Sequence, residues 1–125
     1  MKLFLDDERK PNDVLKYYNN DIYWHEDWIL VKNYTEFIDY ISNNKMPKII
    51  SFDHDLSEEH YKYASAENIP YSEFKIKTGY HCLLWLLLFC NSRKIKLPEI
   101  LIHTLNITGF NNLRNLVDTY KSIAV

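Results

Sequence analysis

Two short hydrophobic runs of the chain each end in a cluster of carboxylates. Leu3-Phe4-Leu5 is followed by Asp6-Asp7-Glu8, and Ile49-Ile50-Ser51-Phe52 by Asp53-His54-Asp55. A third run, Ile100-Leu101-Ile102, ends in His103-Thr104-Leu105-Asn106. Short apolar runs bounded by polar residues read as buried strands. If these strands are parallel in one open sheet, all three tips fall at the edge where such sheets bind ligands. Carboxylates gathered there repel one another unless a cation sits among them. Hard oxygen donors of this kind favour Mg²⁺, Mn²⁺ or Ca²⁺. Asp6, Asp7, Asp53 and Asp55 are therefore the candidate metal ligands, with Mg²⁺ or Mn²⁺ the expected cofactor. In a metal-free pocket, Lys77 or Arg9 would have to neutralise them.

Other residue types at these tips suit phosphate chemistry. Histidine is the side chain best matched to proton transfer near neutral pH, so His54 and His103 join Asp53 as candidate catalytic groups. Along an extended backbone Asp53 and Asp55 share one side and His54 takes the other. The ordinary alternatives are a solvent-exposed loop histidine for His54 and a buried, backbone-bonded one for His103. Lys77-Thr78-Gly79 opens a helix, and Asn106-Ile107-Thr108-Gly109 opens another. Helix N-termini attract anions, which makes Lys77, Thr78, Thr104 and Asn106 candidate substrate-binding residues. Simple capping by Thr78 would need no ligand. Trp24, Trp28, Tyr34 and Tyr63 are aromatics that could stack on a base, although most such residues are packing. His25 and His60 find no partner in the local sequence. No Cys/His spacing for zinc and no Gly-rich P-loop is present.

The elements that must position these groups alternate between strand and helix, the pattern of an α/β fold. Strands are predicted at Lys2–Leu5, Trp28–Lys32, Lys48–Phe52 and Glu99–His103. A short helix is predicted at Asp13–Tyr18, and longer ones from Thr35 to Asn43, Thr78 to Asn91 and Gly109 to Tyr120. The helix after Thr78 is apolar nearly all round, hence buried. Residues 56–76 form a long polar insert, and loops of that length in a compact domain are often functional. Right-handed crossovers between parallel strands then give a doubly wound sheet of order 2-1-3-4. No segment reads as a fifth strand, apart from a stub at Ser122–Val125.

With 125 residues the chain is read as one domain, residues 1–125. Its net charge of −2 provides no global basic field for nucleic acid. Cys82 and Cys90 lie about 12 Å apart along one helix, too far for a disulfide. Free thiols suit a cytoplasmic location, in a bacterium or a phage-infected host. The apolar run from Cys82 to Cys90 is too short to span a bilayer. The expected partner is a phosphorylated small molecule or nucleotide, and nothing specifies an oligomer.

Leu3-Phe4-Leu5-Asp6-Asp7-Glu8-Arg9-Lys10-Pro11, Ile50-Ser51-Phe52-Asp53-His54-Asp55-Leu56, Lys77-Thr78-Gly79 and Ile102-His103-Thr104-Leu105-Asn106, with Gly109 and Asn111, resemble the cyclic-phosphate-processing receiver-like domain. The resemblance runs from about residue 2 to 120. It implies a receiver-like (flavodoxin-like) fold whose acidic pocket processes cyclic phosphates on nucleotides, RNA ends or ADP-ribose, in RNA-repair or phage-conflict settings. By position, Asp6 and Asp7 match the receiver acid pair, Asp53 the acceptor aspartate and Thr104 the fourth-strand hydroxyl. His54, Asp55, His103 and Asn106 match the residues that set this family apart from ordinary receivers. Two positions depart. His81 stands where the family usually has an aspartate, and the receiver's fifth-strand lysine has no counterpart. The leading expectation is a metal-assisted phosphoesterase, a phosphoric ester hydrolase of the cyclic phosphodiesterase type. The alternative is a non-enzymatic receiver-like module that binds a nucleotide or protein. A haloacid-dehalogenase-like phosphatase ranks third, because that fold places its Asp-x-Asp motif on the first strand and needs more chain.

Overall fold

The computed structural model describes residues 1–63 and 66–123. Four strands, β1 (Lys2–Leu5), β2 (Trp28–Val31), β3 (Ile49–Phe52) and β4 (Glu99–Ile102), form one parallel sheet of order β2-β1-β3-β4, as the alternating pattern predicts. Side chains alternate between the faces of a strand. Leu3, Leu5, Val31, Ile50 and Phe52 accordingly enter one core with Ile100 and Ile102, while Phe4, Trp28, Ile49 and Leu101 enter another.

The two faces are covered very differently. The first carries α2 (Tyr34–Asn43), α4 (Gly79–Arg93) and α5 (Ile107–Ile123), which bury Phe37, Ile41, Leu83, Leu86, Leu113 and Val117. The second is covered only by residues 10–27, with the single-turn helix α1 (Pro11–Val14) and a 3₁₀ turn at Asp21–Trp24. Val14 and Tyr23 pack there on Phe4 and Trp28. The expected helix at Asp13–Tyr18 is thus shorter and earlier, set by Pro11 at its first position, where a missing N–H costs nothing. Tyr17 and Tyr18 lie beyond it and bond to the loop after β4.

Element ends shift by a residue or two elsewhere. Residues 122 and 123 continue α5 rather than starting a strand, and 124–125 lie outside the described residues. The insert holds the short helix α3 (Glu58–Tyr61) and a 3₁₀ turn at Tyr71–Glu73. Among the described residues no helix is long and apolar enough to cross a membrane.

The chain has only two glycines, and both press on the tip of β3. A Cβ on Gly79 would lie 1.8 Å from the Asp53 carbonyl oxygen, and one on Gly109 would lie 2.5 Å from the His54 ring. Close approach of α4 and α5 to the candidate site therefore requires glycine at each position. We expect Gly79→Ala to lower unfolding free energy by about 1–3 kcal/mol, the usual cost of overpacking. Gly109→Ala should cost less, because its Cβ would meet the His54 side chain at 2.5 Å rather than backbone at 1.8 Å. Urea denaturation measures both. An unchanged Gly79→Ala midpoint would mean that α4 is free to stand off from β3.

Candidate functional site

Sheet register brings three of the predicted residues together. Leu5 pairs with Phe52, and Phe52 with Ile102. The next residue on each strand is Asp6, Asp53 or His103, and their amides extend the ladder: Asp53 N–H donates to Leu5 O and His103 N–H to Phe52 O, each at 3.0 Å. All three have the parity of the sparsely covered face. Donor atoms of Asp6, Asp53 and His103 lie within 4.8 Å of one another, and the residues are 4%, 1% and 0% exposed.

Asp7 has the opposite parity and leaves this group. Its carboxylate accepts from the Tyr61 hydroxyl at 2.9 Å instead, so the expected three-aspartate cup does not form around it. Its place beside Asp6 and Asp53 is taken by Arg9. The Arg9 Nε donates to Asp6 Oδ2 at 3.1 Å, and its Nη2 lies 3.1 Å from Asp53 Oδ1. Asp6 Oδ1 accepts the amides of Glu8 and Arg9, a local turn that aims the guanidinium inward. Lys77 is elsewhere, with its ammonium 5.3 Å from the centre of the Tyr34 ring.

His103 sits at the centre of a buried relay. Its Nε2 donates to Asp6 Oδ2 at 3.0 Å, so Nδ1 accepts from Ser51 Oγ at 2.6 Å. The Ser51 Oγ in turn accepts from the Tyr23 hydroxyl at 2.7 Å. The imidazole stacks on Phe4 at 4.3 Å. Ser51 shares the parity of Asp53, and that parity is the signal in the sequence that marks it.

His54 is enclosed, not solvent-exposed. Nδ1 donates to Asp55 Oδ1 and Nε2 accepts from the Tyr71 hydroxyl, each at 2.7 Å. Asn112 donates to the same Tyr71 oxygen, tying the insert to α5. All four nitrogens of His54 and His103 thus meet protein partners. Thr78 is buried as the cap of α4: its Oγ1 accepts from the Tyr80 amide, and the Thr78 amide donates to His81 Nδ1. His60, without a partner in the sequence reading, binds both ends of the insert: Nδ1 accepts from the Leu56 amide and Nε2 donates to Ile76 O.

Charge in the site is unevenly compensated. Burial pushes the Asp6 carboxyl up, but hydrogen bonds from His103 and the Arg9 and Glu8 amides outweigh it and hold Asp6 below its ordinary value. Burial, then the Asp6 charge, push Asp53 up to about 8 against the pull of Arg9. Asp53 Oδ2 is also buried without a hydrogen-bond partner among the described residues. Burial holds His103 below the usual histidine value despite Asp6. Arg9, which bridges Asp6 and Asp53, also lines a cleft of about 270 Å³ together with Glu8, Asp55, Tyr61, Thr104, Leu105 and Asn106. Asn106 orients Asp55 through Nδ2, donates its amide to Thr104 Oγ1 and caps α5 by accepting from Gly109 N. The roomier groove of about 430 Å³ between α4 and α5 has no titratable lining apart from Tyr120.

A four-stranded parallel sheet with an acidic tip on β1 and β3 defines a receiver-like α/β domain. The chain matches the family model described as cyclic-phosphate processing receiver domain over residues 1–119, and it belongs to that family. No curated protein and no solved structure matches it.

The Asp53 shift has a definite sign. Its folded value lies above the ordinary 3.8, so its stabilising contribution is full in acid and is lost as pH rises through about 8. His60, His81 and His103, held low by burial, act oppositely as pH falls through 6.5. Asp53→Asn removes the first effect and keeps the second. In chelator, the melting temperature of Asp53→Asn minus that of wild type should rise from about pH 4 to pH 8 and level off above it. A pH-independent difference would show that Arg9 alone keeps Asp53 ionised.

Proposed function

We propose that the protein is a phosphoesterase that opens a cyclic phosphate on a nucleotide, an RNA end or ADP-ribose. The observation that carries this reading is the in-register meeting of Asp6, Asp53 and His103 around Arg9, beside a cleft lined by Thr104, Asn106 and Asp55. Family membership points the same way.

The donor set suits a divalent cation. Two adjacent carboxylates face one guanidinium, and Asp53 Oδ2 is a buried oxygen without a partner. Asp6 and Asp53 would hold Mg²⁺ or Mn²⁺, with His103 orienting Asp6 from behind, as outer-shell imidazole–carboxylate pairs do. Bound there, the ion would polarise a phosphoryl oxygen and lower the pKa of water.

The chain's own groups supply the rest. Arg9, the Thr104 hydroxyl and Asn106 bind non-bridging phosphate oxygens. Thr104 Oγ1 accepts the Asn106 amide, which leaves its proton for a ligand. Asp55 is the ionisable member of the Asp53-His54-Asp55 run that lines the cleft, and His54 and Asn106 steer it. It takes a proton from water as water attacks phosphorus. One ribose–oxygen bond to phosphorus then breaks and that oxygen takes the proton held by Asp55, giving a phosphomonoester and a free hydroxyl. In this reading His54 and His103 act by positioning Asp55 and Asp6, because both rings are enclosed.

One observation favours a second reading. Arg9 already bridges Asp6 and Asp53, as a structural counter-ion would in a non-enzymatic nucleotide-binding module.

The test is a panel of cyclic phosphates bridging vicinal ribose hydroxyls, on nucleosides, RNA ends and ADP-ribose. Each is incubated with Mn²⁺ or chelator, and products are separated by chromatography. Asp55→Asn should melt near wild type and turn over about 10²–10⁴-fold more slowly. Arg9→Ala should lose about 10²–10³-fold in kcat. Millimolar Mn²⁺ should raise the melting temperature of wild type by mass action but not that of Asp53→Asn. Nucleotide binding without turnover on any substrate would favour the non-enzymatic module.

A further inference from the structure

The polar cleft does not end at Thr104. A second hollow of about 330 Å³ adjoins it, lined by Tyr17, Tyr18, Thr104, Leu105, Ile107 and Phe110. The two share Thr104 and Leu105. Among the described residues no charged side chain lines the second hollow, and its rim leaves Leu105 63% and Ile107 75% exposed.

Two of its walls are fixed aromatic rings. The Tyr17 hydroxyl donates to His103 O at 2.9 Å and accepts from Arg9 Nη1, so one ring links the hollow to the guanidinium. The Tyr18 hydroxyl donates to Thr104 O at 3.3 Å. Both phenols are spent on the backbone. The hollow therefore offers flat apolar surface and no free side-chain donor except the Thr104 hydroxyl. Trp24, Trp28, Tyr34 and Tyr63, the aromatics singled out in the sequence, do not line it. Trp28 is core, and Tyr63 packs on Phe74.

We propose that this hollow is a nucleobase subsite. It selects substrates that carry a base next to the phosphate, and it reads that base by stacking and size rather than by hydrogen bonds. The inference rests on the phosphate reading of the adjoining cleft. It predicts tolerance of base identity, purines ahead of pyrimidines, and poor recognition of base-free phosphates.

The test is calorimetric titration of the full chain, in chelator, with ribose phosphate, with adenosine and cytidine monophosphates bearing phosphate on a vicinal ribose hydroxyl, and with adenosine alone. The adenosine monophosphate should bind about tenfold more tightly than ribose phosphate, within the range of base–aromatic stacking, with the cytidine form between them. Ile107→Glu changes an exposed residue and should fold normally. It should weaken the adenosine monophosphate about tenfold and leave ribose phosphate unchanged. Phe110→Ala should act in the same direction. Equal affinities for the adenosine form and ribose phosphate, or an Ile107→Glu variant that binds both as wild type does, would overturn the subsite and leave the phosphate reading standing. Binding of adenosine alone, with shifted Tyr18 and Phe110 ring resonances but no contribution from phosphate, would support the subsite and sink the phosphate reading. No binding by any of the four overturns both.

Discussion

Two carboxylates lie side by side at the C-terminal edge of the sheet, almost out of water, and their mutual repulsion has to be met. Asp6 meets it with four hydrogen bonds, from two backbone amides, Arg9 and His103. Asp53 has Arg9 and its neighbour's amide, with one oxygen left over. Much of the surrounding architecture follows from this pair. The turn from Asp6 to Arg9 exists to bring one guanidinium between them. Tyr17 braces that guanidinium, and Ser51 with Tyr23 fixes the imidazole that serves Asp6. The thin covering of this face by residues 10–27 is the layer that supplies those braces, so part of what encloses the core also holds the site.

The asymmetry between the carboxylates is the chemically useful part. A fully satisfied pair would be inert structural glue. Here hydrogen bonds hold Asp6 below its ordinary value, while burial and the Asp6 charge push Asp53 above its own. Like charges this close in a buried setting push their titrations apart, and strongly shifted carboxylates of this kind mark functional sites more often than structural ones.

Much of this was legible in the residues. The apolar runs, their polar tips and the strand order follow from periodicity and from crossover handedness. Asp53, His103, Thr104 and Asn106 could be placed at one edge for the same reason. Strand parity was legible too: it separates Asp6 from Asp7 and aligns Ser51 with Asp53, although the pairing register that turns parity into contact is a tertiary property. Arg9 was harder, since a side chain bending back through an Asp-centred turn leaves no periodic trace. The partners of His54 and His60 were not legible at all. Asp55 and Leu56 are near neighbours, but Tyr71 and Ile76 lie 17 and 16 residues away across the insert, and loop geometry of that kind is set by packing rather than by local pattern.

His60 fastens the two ends of the insert to each other, and the Glu59 carboxylate accepts the Ile76 amide beside it. A loop tied at its base transmits little strain to the strand and helix that it joins. Residues beyond the clasp that touch neither Asp7, His54 nor α5 can then be lengthened, shortened or rewritten while β3 and α4 keep their spacing. Apart from Tyr61 and Tyr71, which reach Asp7, His54 and α5, the insert can change its sequence at low risk to the fold, and the clasp is what permits it.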